Sequence, residues 1–254
     1  MRFISLQSGS SGNCLFVEFG RTRLLFDAGL TGVQTEERLA VHHIGIDTIE
    51  AVILSHSHSD HTKGAGVLLR KFGLPLWMTA GTYHHILAMK KVGQIGTPNF
   101  FRPGATLQFN TLTIETIPTK HDAPEGVCFV ADNGQKRLGI MTDLGCRFRR
   151  LEAAVATLDG ILIESDYDPE MLANGPYDED LQNRIRGDKG HLSNDECAEL
   201  LRDEGGKLCW ACLGHLSGNN NTPELALKTH RRILGRELPL YVASRSDVSP
   251  ILEL

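Results

Sequence analysis

The run His56-Ser57-His58-Ser59-Asp60-His61 constrains this chain more than any other feature, because three imidazoles and a carboxylate follow directly on the apolar stretch Ala51-Val52-Ile53-Leu54. An extended backbone keeps His56 and His58 on one side, and a turn into a helix redirects the side chains that follow. His56 and His58 are thereby aimed at one ion, Asp60 and His61 at a second. Neutral imidazole and carboxylate suit zinc, manganese or iron. A solvated His-rich loop would lack this setting, an apolar strand before and an amphipathic helix from about Lys63 to Phe72 after.

That run, at the end of a strand, resembles the signature of the metallo-β-lactamase superfamily. The resemblance implies a later His, an Asp bridging both ions and a last His, each behind its own strand. His121 follows Leu112 to Ile117, Asp143 follows Arg137 to Thr142, and His215 follows Leu208 to Leu213. By the same resemblance His56, His58, His121 and Asp143 bind one ion, and Asp60, His61, Asp143 and His215 the other.

At 254 residues the chain can bury a large core, and no linker, low-complexity tract or repeat divides it, so one domain over 1–254 is expected. The chain opens on the strand-like Arg2-Phe3-Ile4-Ser5-Leu6 without a signal-peptide core, and no apolar run is long enough to span a membrane. A cytoplasmic location is the expectation. Six irregularly spaced cysteines read as reduced thiols. Cys209-Trp210-Ala211-Cys212 spells a redox motif, yet it falls inside an apolar strand and not at a helix start, and Cys146 reads as packing near Asp143. A net charge of −5 announces no basic face, although Arg147, Arg149 and Arg150, and Arg184, Arg186 and Lys189, make local patches open to a solvated-helix reading.

Strand patterns at 2–7, 13–19, 22–27, 51–55, 75–79, 106–109, 111–117, 127–132, 137–142, 160–164, 208–213 and 239–243 are interleaved with helical ones. The helices fall near 33–44, 63–72, 82–91, 148–155, 168–173, 178–185, 194–203 and 223–234. Two largely β halves, each with helices, predict an α/β fold of two sheets packed face to face inside helices, the four-layer αββα sandwich of the superfamily. Ligands at strand ends would gather at one edge.

Within the superfamily, Asp143 disfavours the β-lactamase subclasses with Cys at the bridging position, and the short spacers leave no room for the arm of one RNase Z type or the inserted domain of RNase J. Gly190-His191-Leu192-Ser193-Asn194 resembles the loop with which RNase Z enzymes protonate a leaving group, and Glu164 stands like the Glu that orients that His. Nearly the whole chain resembles the YycJ/WalJ family of small bacterial double-strand DNA exonucleases. The matching pieces are Ser8 to Cys14, Asp27 to Leu30, the His-rich run, Glu164 to Leu172, Asn174-Gly175-Pro176-Tyr177, Gly187 to Asn194, and His215-Leu216-Ser217 with Asn219 to Asn221. Where that family often has Asn-His, this chain has Asp166-Tyr167.

The resemblance implies a phosphodiesterase with two divalent ions, zinc or manganese with iron as a further option, acting 5′ to 3′ on double-stranded DNA, with metal-bound hydroxide attacking phosphorus. Asp60 would orient the nucleophile, and His191, aligned by Glu164, would protonate the departing oxygen. A metal-dependent hydrolase of a small ester, thioester, lactone or small phosphodiester is the alternative. Asp27 is a candidate to fix a ligand imidazole. The Ser/Gly loop at 8–13 reads either as a close approach to phosphate or as a hairpin turn. His42, His43, His84 and His85 read as surface or core residues away from the ligands, and His230-Arg231-Arg232 as a solvated helix face.

Overall fold

Apolar strand segments here are too many for one sheet with a single helical cover, and in the computed structural model, which describes residues 1–90 and 92–254, they divide into two. The first sheet collects β1 (Arg2–Gln7), β2 (Cys14–Phe19), β3 (Thr22–Phe26), β4 (Ala51–Ile53), β5 (Leu76–Thr79) and β6 (Asn99–Phe101). The second collects β7 (Thr106–Phe109), β8 (Leu112–Pro118), β9 (Val127–Asp132), β10 (Arg137–Met141), β11 (Gly160–Glu164), β12 (Trp210–Gly214) and β13 (Leu240–Val242). The chain then returns through β14 (Leu252–Glu253) to the free edge of β1. Each sheet begins antiparallel and becomes parallel, over β3 to β6 in the first and β10 to β13 in the second.

Burial patterns follow this division. The parallel strands β11 and β12 are buried at every position, as strands covered on both faces must be, while the edge strand β7 alternates exposed and buried. Between the sheets lies one apolar layer in which Phe26 meets Phe129 at a ring-centroid distance of 5.0 Å and Phe3 meets Trp210 at 5.9 Å. On the outer face of the first sheet, α1 (Gly32–Ala40), α3 (Ala65–Phe72) and α4 (Ala80–Met89) bury Leu39, Leu68 and Ile86. Outside the second, α5 (Arg149–Val155), α8 (Asn194–Glu204) and α9 (Pro223–Leu234) bury Leu151, Leu200 and Ala226. The result is the αββα sandwich expected.

Several boundaries differ from the sequence reading. The helix expected from Lys63 begins earlier, as the single turn α2 (Ser59–Thr62), and breaks at Lys63-Gly64 before α3. Gly64 stands at the break, where the chain passes so close to Leu30 that a Cβ would lie 1.8 Å from its carbonyl oxygen. The helix expected to reach 44 stops at Ala40, and Lys91, the last residue of the helix expected at 82–91, lies outside the described residues. Strands β6 and β14, of three and two residues, carry too few positions for alternation to be visible. Cys209 precedes β12 and is exposed, so the CxxC pair is not contained in a strand, and all six thiols are free. No helix among the described residues is long and apolar enough to cross a membrane.

Two further helices, α6 (Pro169–Asn174) and α7 (Glu179–Arg186), rise between β11 and α8. Asp168 and Asp178 cap them, the first accepting from Glu170 N and Met171 N at 3.0 Å and the second from Leu181 N at 2.8 Å. α7 buries none of its residues and rides on the surface beside the site.

Candidate metal centre

Parallel strands deliver their carboxyl ends to one edge of a sheet, and this is where the predicted residues collect. Asp27 follows β3, His56 lies three residues beyond β4, His121 follows β8, Asp143 follows β10, Glu164 ends β11 and His215 follows β12. Three of these, Asp27, Asp143 and His215, adopt left-handed backbone angles, with φ of 63°, 55° and 55°. A non-glycine residue there costs on the order of 1 kcal/mol or more, which the surrounding strands must offset. The strain turns each side chain sharply out of its strand and toward the others.

Around Asp143 the side chains converge. Its Oδ2 lies 3.1 Å from His61 Nε2, and its Oδ1 lies 3.5 Å from His121 Nε2, 3.6 Å from His215 Nε2 and 4.0 Å from His56 Nε2. Asp60 Oδ2 lies 3.3 Å from His61 Nε2 and 3.5 Å from His215 Nε2. His58 Nδ1 faces His121 Nε2 at 3.1 Å. Within this cluster, two sets of ligand atoms lie within 4.8 Å of one another, His56 with His58 and His121, and Asp60 with His61 and His215. Asp143 stands between them.

Whether these residues fit metal ions can be judged from their buried atoms. His56 Nε2, Asp143 Oδ2 and both ring nitrogens of His215 are buried without a hydrogen-bond partner. Leaving such an atom unsatisfied costs about 1–3 kcal/mol, and here several face a common volume with the geometry of donors to a cation. The charge environment agrees. Burial and the neighbouring His61 hold His56 well below the usual imidazole range, so it stays neutral and able to donate its lone pair. Burial alone would raise Asp143, but His215, His61 and His56 hold it well below the ordinary carboxylate range.

A second ring of contacts fixes the imidazoles. The Nδ1 of His61 donates to Asp27 Oδ2 at 2.7 Å, and Asp27 also accepts from Ser55 N at 2.7 Å and Ser55 Oγ at 2.9 Å. His121 Nδ1 donates to the Gly190 carbonyl at 3.0 Å. Ser8 Oγ accepts the backbone N–H of His215 at 2.9 Å. The loop at 8–13 is a turn, closed by Gly12 N to Gly9 O at 2.9 Å, and Asn13 at its end reaches the cluster, its Nδ2 lying 3.3 Å from Asp60 Oδ2. Gly29 is required beside it, since a Cβ at Gly29 would stand 1.6 Å from the Asp60 carbonyl oxygen.

His191 leans over the same cluster. Its ring stacks on His215 at 5.2 Å, its Nδ1 lies 3.8 Å from Asp143 Oδ1, and the same nitrogen donates to Glu164 Oε2 at 3.4 Å. Glu164 is fully buried and also accepts Leu192 N and, at 3.3 Å, Leu144 N. Burial acts to lower His191, but the carboxylates of Asp166, Glu164 and Asp143 outweigh it and push the imidazole up to about 10. The loop bearing His191 is held by the Ser193 capping box of α8 and by Asn194, whose amide pairs reciprocally with that of Asn221 at 3.0 and 2.9 Å. The GHLSN and NNN pieces of the sequence therefore form one structural unit.

Some neighbours of the cluster escaped the sequence reading. Asp166, pushed up to about 6 chiefly by burial, lies 3.8 Å from His215 Nδ1, so the dipeptide Asp166-Tyr167 retains a contact to a site histidine. Asp122 lies 3.4 Å from both His58 Nε2 and His121 Nε2, and Arg184 of α7 holds it at 2.7 Å. His85, expected away from the ligands, pairs with Ser57 Oγ at 2.6 Å inside the His-rich run. His42 pairs with the Ser249 carbonyl at 2.8 Å. His230 is fully buried, with Nδ1 on the Ala226 carbonyl at 2.8 Å, so only Arg231 and Arg232 belong to the solvated face expected there.

Residues 8–158 match the model of the metallo-beta-lactamase superfamily. The chain is 35% identical to exodeoxyribonuclease WalJ of Streptococcus pneumoniae over 265 aligned residues, covering 100% of this chain and 98% of the relative. It is 32% identical to exodeoxyribonuclease YycJ of Bacillus anthracis, over 92% of this chain and 89% of the relative. Among solved structures, zinc-bound PqqB of Methylobacterium extorquens superposes with a TM-score of 0.77 at 17% identity, covering 100% of both chains, a likeness of fold alone. With its αββα architecture and its His/Asp cluster for divalent metals, this chain belongs to the metallo-beta-lactamase superfamily and, within it, to the family of the WalJ and YycJ proteins.

Proposed function

We propose that this protein is a metal-dependent exonuclease that shortens double-stranded DNA from its 5′ ends, working as a single domain over residues 1–254 in the cytoplasm. In this reading His56, His58, His121 and Asp143 hold one ion and Asp60, His61, Asp143 and His215 the other, with zinc or manganese suited to the donor set and iron also compatible. Two divalent ions, when bound, supply Lewis acidity that lowers the pKa of water and neutralises phosphate oxygens.

The chain's own residues do the rest. Asp60 orients the attacking water, whose oxygen bonds to phosphorus as the P–O3′ bond breaks. The O3′ of the departing nucleotide takes a proton from His191, and Glu164, fixed by two backbone N–H groups, keeps the imidazole Nδ1 engaged so that Nε2 is the donor. The observation that carries the reading is this His191–Glu164 pair beside Asp143. A sugar alkoxide is a poor leaving group and needs an acid, whereas a thiolate or an activated ester does not. Support also comes from the full-length relatives named exodeoxyribonucleases.

The test is digestion of end-labelled duplex DNA by protein loaded separately with zinc and with manganese, beside Asp60→Ala and a thioester substrate. Stepwise release from the 5′ end, lost in Asp60→Ala, supports the reading. Intact DNA with metal-dependent thioester cleavage overturns it in favour of a small-ester hydrolase.

A further inference from the structure

Helix α7 lies beside the mouth of the cluster, where Arg184 and Ile185 line the pocket over the metal-ligand residues. It buries none of its residues, so apolar packing does not explain how it is held. Its last turn is fastened by the loop of His191, whose backbone N donates to the Ile185 carbonyl at 2.9 Å. Gly190 permits this approach, since a Cβ there would lie 2.0 Å from that carbonyl oxygen. Among the described residues, one side chain of α7 hydrogen-bonds to a residue beyond the helix and the loop before it. That side chain is Arg184, with Nε at 2.8 Å and Nη2 at 2.7 Å from the same oxygen, Asp122 Oδ2.

Asp122 is thereby divided between two neighbours. Its Oδ2 belongs to Arg184, and its Oδ1 turns inward, 3.4 Å from both His58 Nε2 and His121 Nε2. The other contacts of the two imidazoles decide which of them it serves. His121 Nδ1 is committed to the Gly190 carbonyl at 3.0 Å, so His121 Nε2 carries a lone pair and has no proton to offer a carboxylate. The imidazole proton facing Oδ1 is therefore the one on His58 Nε2. This leaves His58 Nδ1 as a bare nitrogen turned toward the cluster, 3.1 Å from His121 Nε2. His61 and His56 are set in the same manner, their Nδ1 atoms lying 2.7 Å from Asp27 Oδ2 and 2.9 Å from Ser55 Oγ.

We infer that Asp122 is a positioning residue for the ion held by His58, fixing the tautomer and direction of that imidazole, and that Arg184 sets Asp122 from α7. The inference rests on the two-ion assignment above and extends it to two residues that are not ligands there. It joins the wall of the pocket to the ion site, so that a helix supplying no ligand governs how firmly one ion is held. The other ion draws on Asp60, His61 and His215, and among the described residues neither of those histidines comes within ion-pair distance of Asp122. An ion pair with one partner 61% exposed adds little to the stability of the fold, so its loss can be read apart from unfolding.

The experiment titrates zinc into metal-free protein against chelators of graded affinity, giving a dissociation constant for each of the two ions without recourse to activity. Thermal melts of the metal-free variants verify the fold. Asp122→Asn should weaken one ion by about 10- to 100-fold and leave the other within about threefold. Arg184→Gln should weaken the same ion by about tenfold or less, and Arg184→Lys, which keeps the charge without the fork, should lie between it and the wild type. The double variant should lose no more than Asp122→Asn alone, because Arg184 acts through Asp122. Arg186→Gln is the control, since that side chain bonds to Asn183 of its own helix, and both constants should stay at the wild-type value.

Unchanged zinc binding in Asp122→Asn overturns the inference. So does an equal weakening of both ions, which would mean a general loosening of the loops, and so do losses that add in the double variant. A wild type that takes up no zinc overturns the two-ion assignment itself.

Discussion

Asp27 and His61 form a buried pair, the carboxylate Oδ2 2.7 Å from the imidazole Nδ1, with relative side-chain exposures of 1% and 0%. The pair joins the end of β3 to the end of the His-rich run, and it fixes which ring nitrogen His61 turns toward Asp60 and Asp143. Replacing Asp27 with Asn keeps a residue tolerant of the left-handed backbone and keeps an acceptor for Ser55 N, but removes the charge. The expected result is a 10- to 100-fold loss of metal affinity with little change in fold. Competition against a calibrated chelator measures it, and an unchanged affinity would show that Asp27 serves the turn alone.

Removing the ions should cost stability as well as activity, because their ligands come from both sheets. At a free-ion concentration about a thousandfold above the dissociation constant, binding stabilises by about 4 kcal/mol. For a chain of this size each kcal/mol moves the melting temperature by roughly 2–4 °C, so chelation should lower it by about 10 °C. Calorimetry with and without chelator is the measurement. A coincident transition would mean that the two sheets hold the ligands in place unaided.

His191→Ala should separate chemistry from binding. On duplex DNA kcat should fall by about 10²- to 10⁴-fold, while on a phosphodiester with a nitrophenolate leaving group the loss should stay under about tenfold, because that group departs without a proton. Glu164→Gln should follow the same pattern more mildly. With the nearby carboxylates holding His191 up to about 10, its acid form is present below that pH and lost as pH rises through it. The alkaline limb of kcat on DNA should therefore disappear in His191→Ala. Equal losses on both substrates would remove the general-acid role.

Of the site, the gathering of His56, His58, Asp60, His61, His121, Asp143 and His215 was the most legible part, because strand ends place such residues at one edge. The histidines outside that pattern were the least legible. His230 sits beside two arginines in the chain, yet a helix shows different faces to successive residues, and its ring turns inward while theirs turn out. His85 lies on α4, and only the packing of that helix against the first sheet brings it to Ser57. The left-handed angle at Asp143 has no sequence signal of its own, since Asp tolerates that region without requiring it. Strands β6 and β14 were missed for want of length.

The misread His230 gives a separate expectation about acid. Burial, against the pull of its bond to the Ala226 carbonyl, lowers the imidazole to about 4. Its ordinary value lies near 6.5 in the unfolded chain, so the unfolded state binds the extra proton between the two. The stabilising contribution is complete above about pH 6.5 and is lost as pH falls toward 4, by roughly 3 kcal/mol at the full shift. His230→Gln should flatten this part of the stability profile in denaturant melts taken on metal-free protein. An equally steep profile in the variant would assign the acid sensitivity to other groups.

Because Asp60 and His61 hang from the first sheet and His121, Asp143 and His215 from the second, the spacing between their ligand atoms records how the two sheets are seated on one another. One residue of slip along a strand is about 3.3 Å, more than the length of a metal–ligand bond. The packed layer between the sheets thus acts as the ruler for the ions. A substitution at Trp210, which meets Phe3 at the end of β12 opposite His215, would first be noticed as a weakened grip on metal and only later as unfolding.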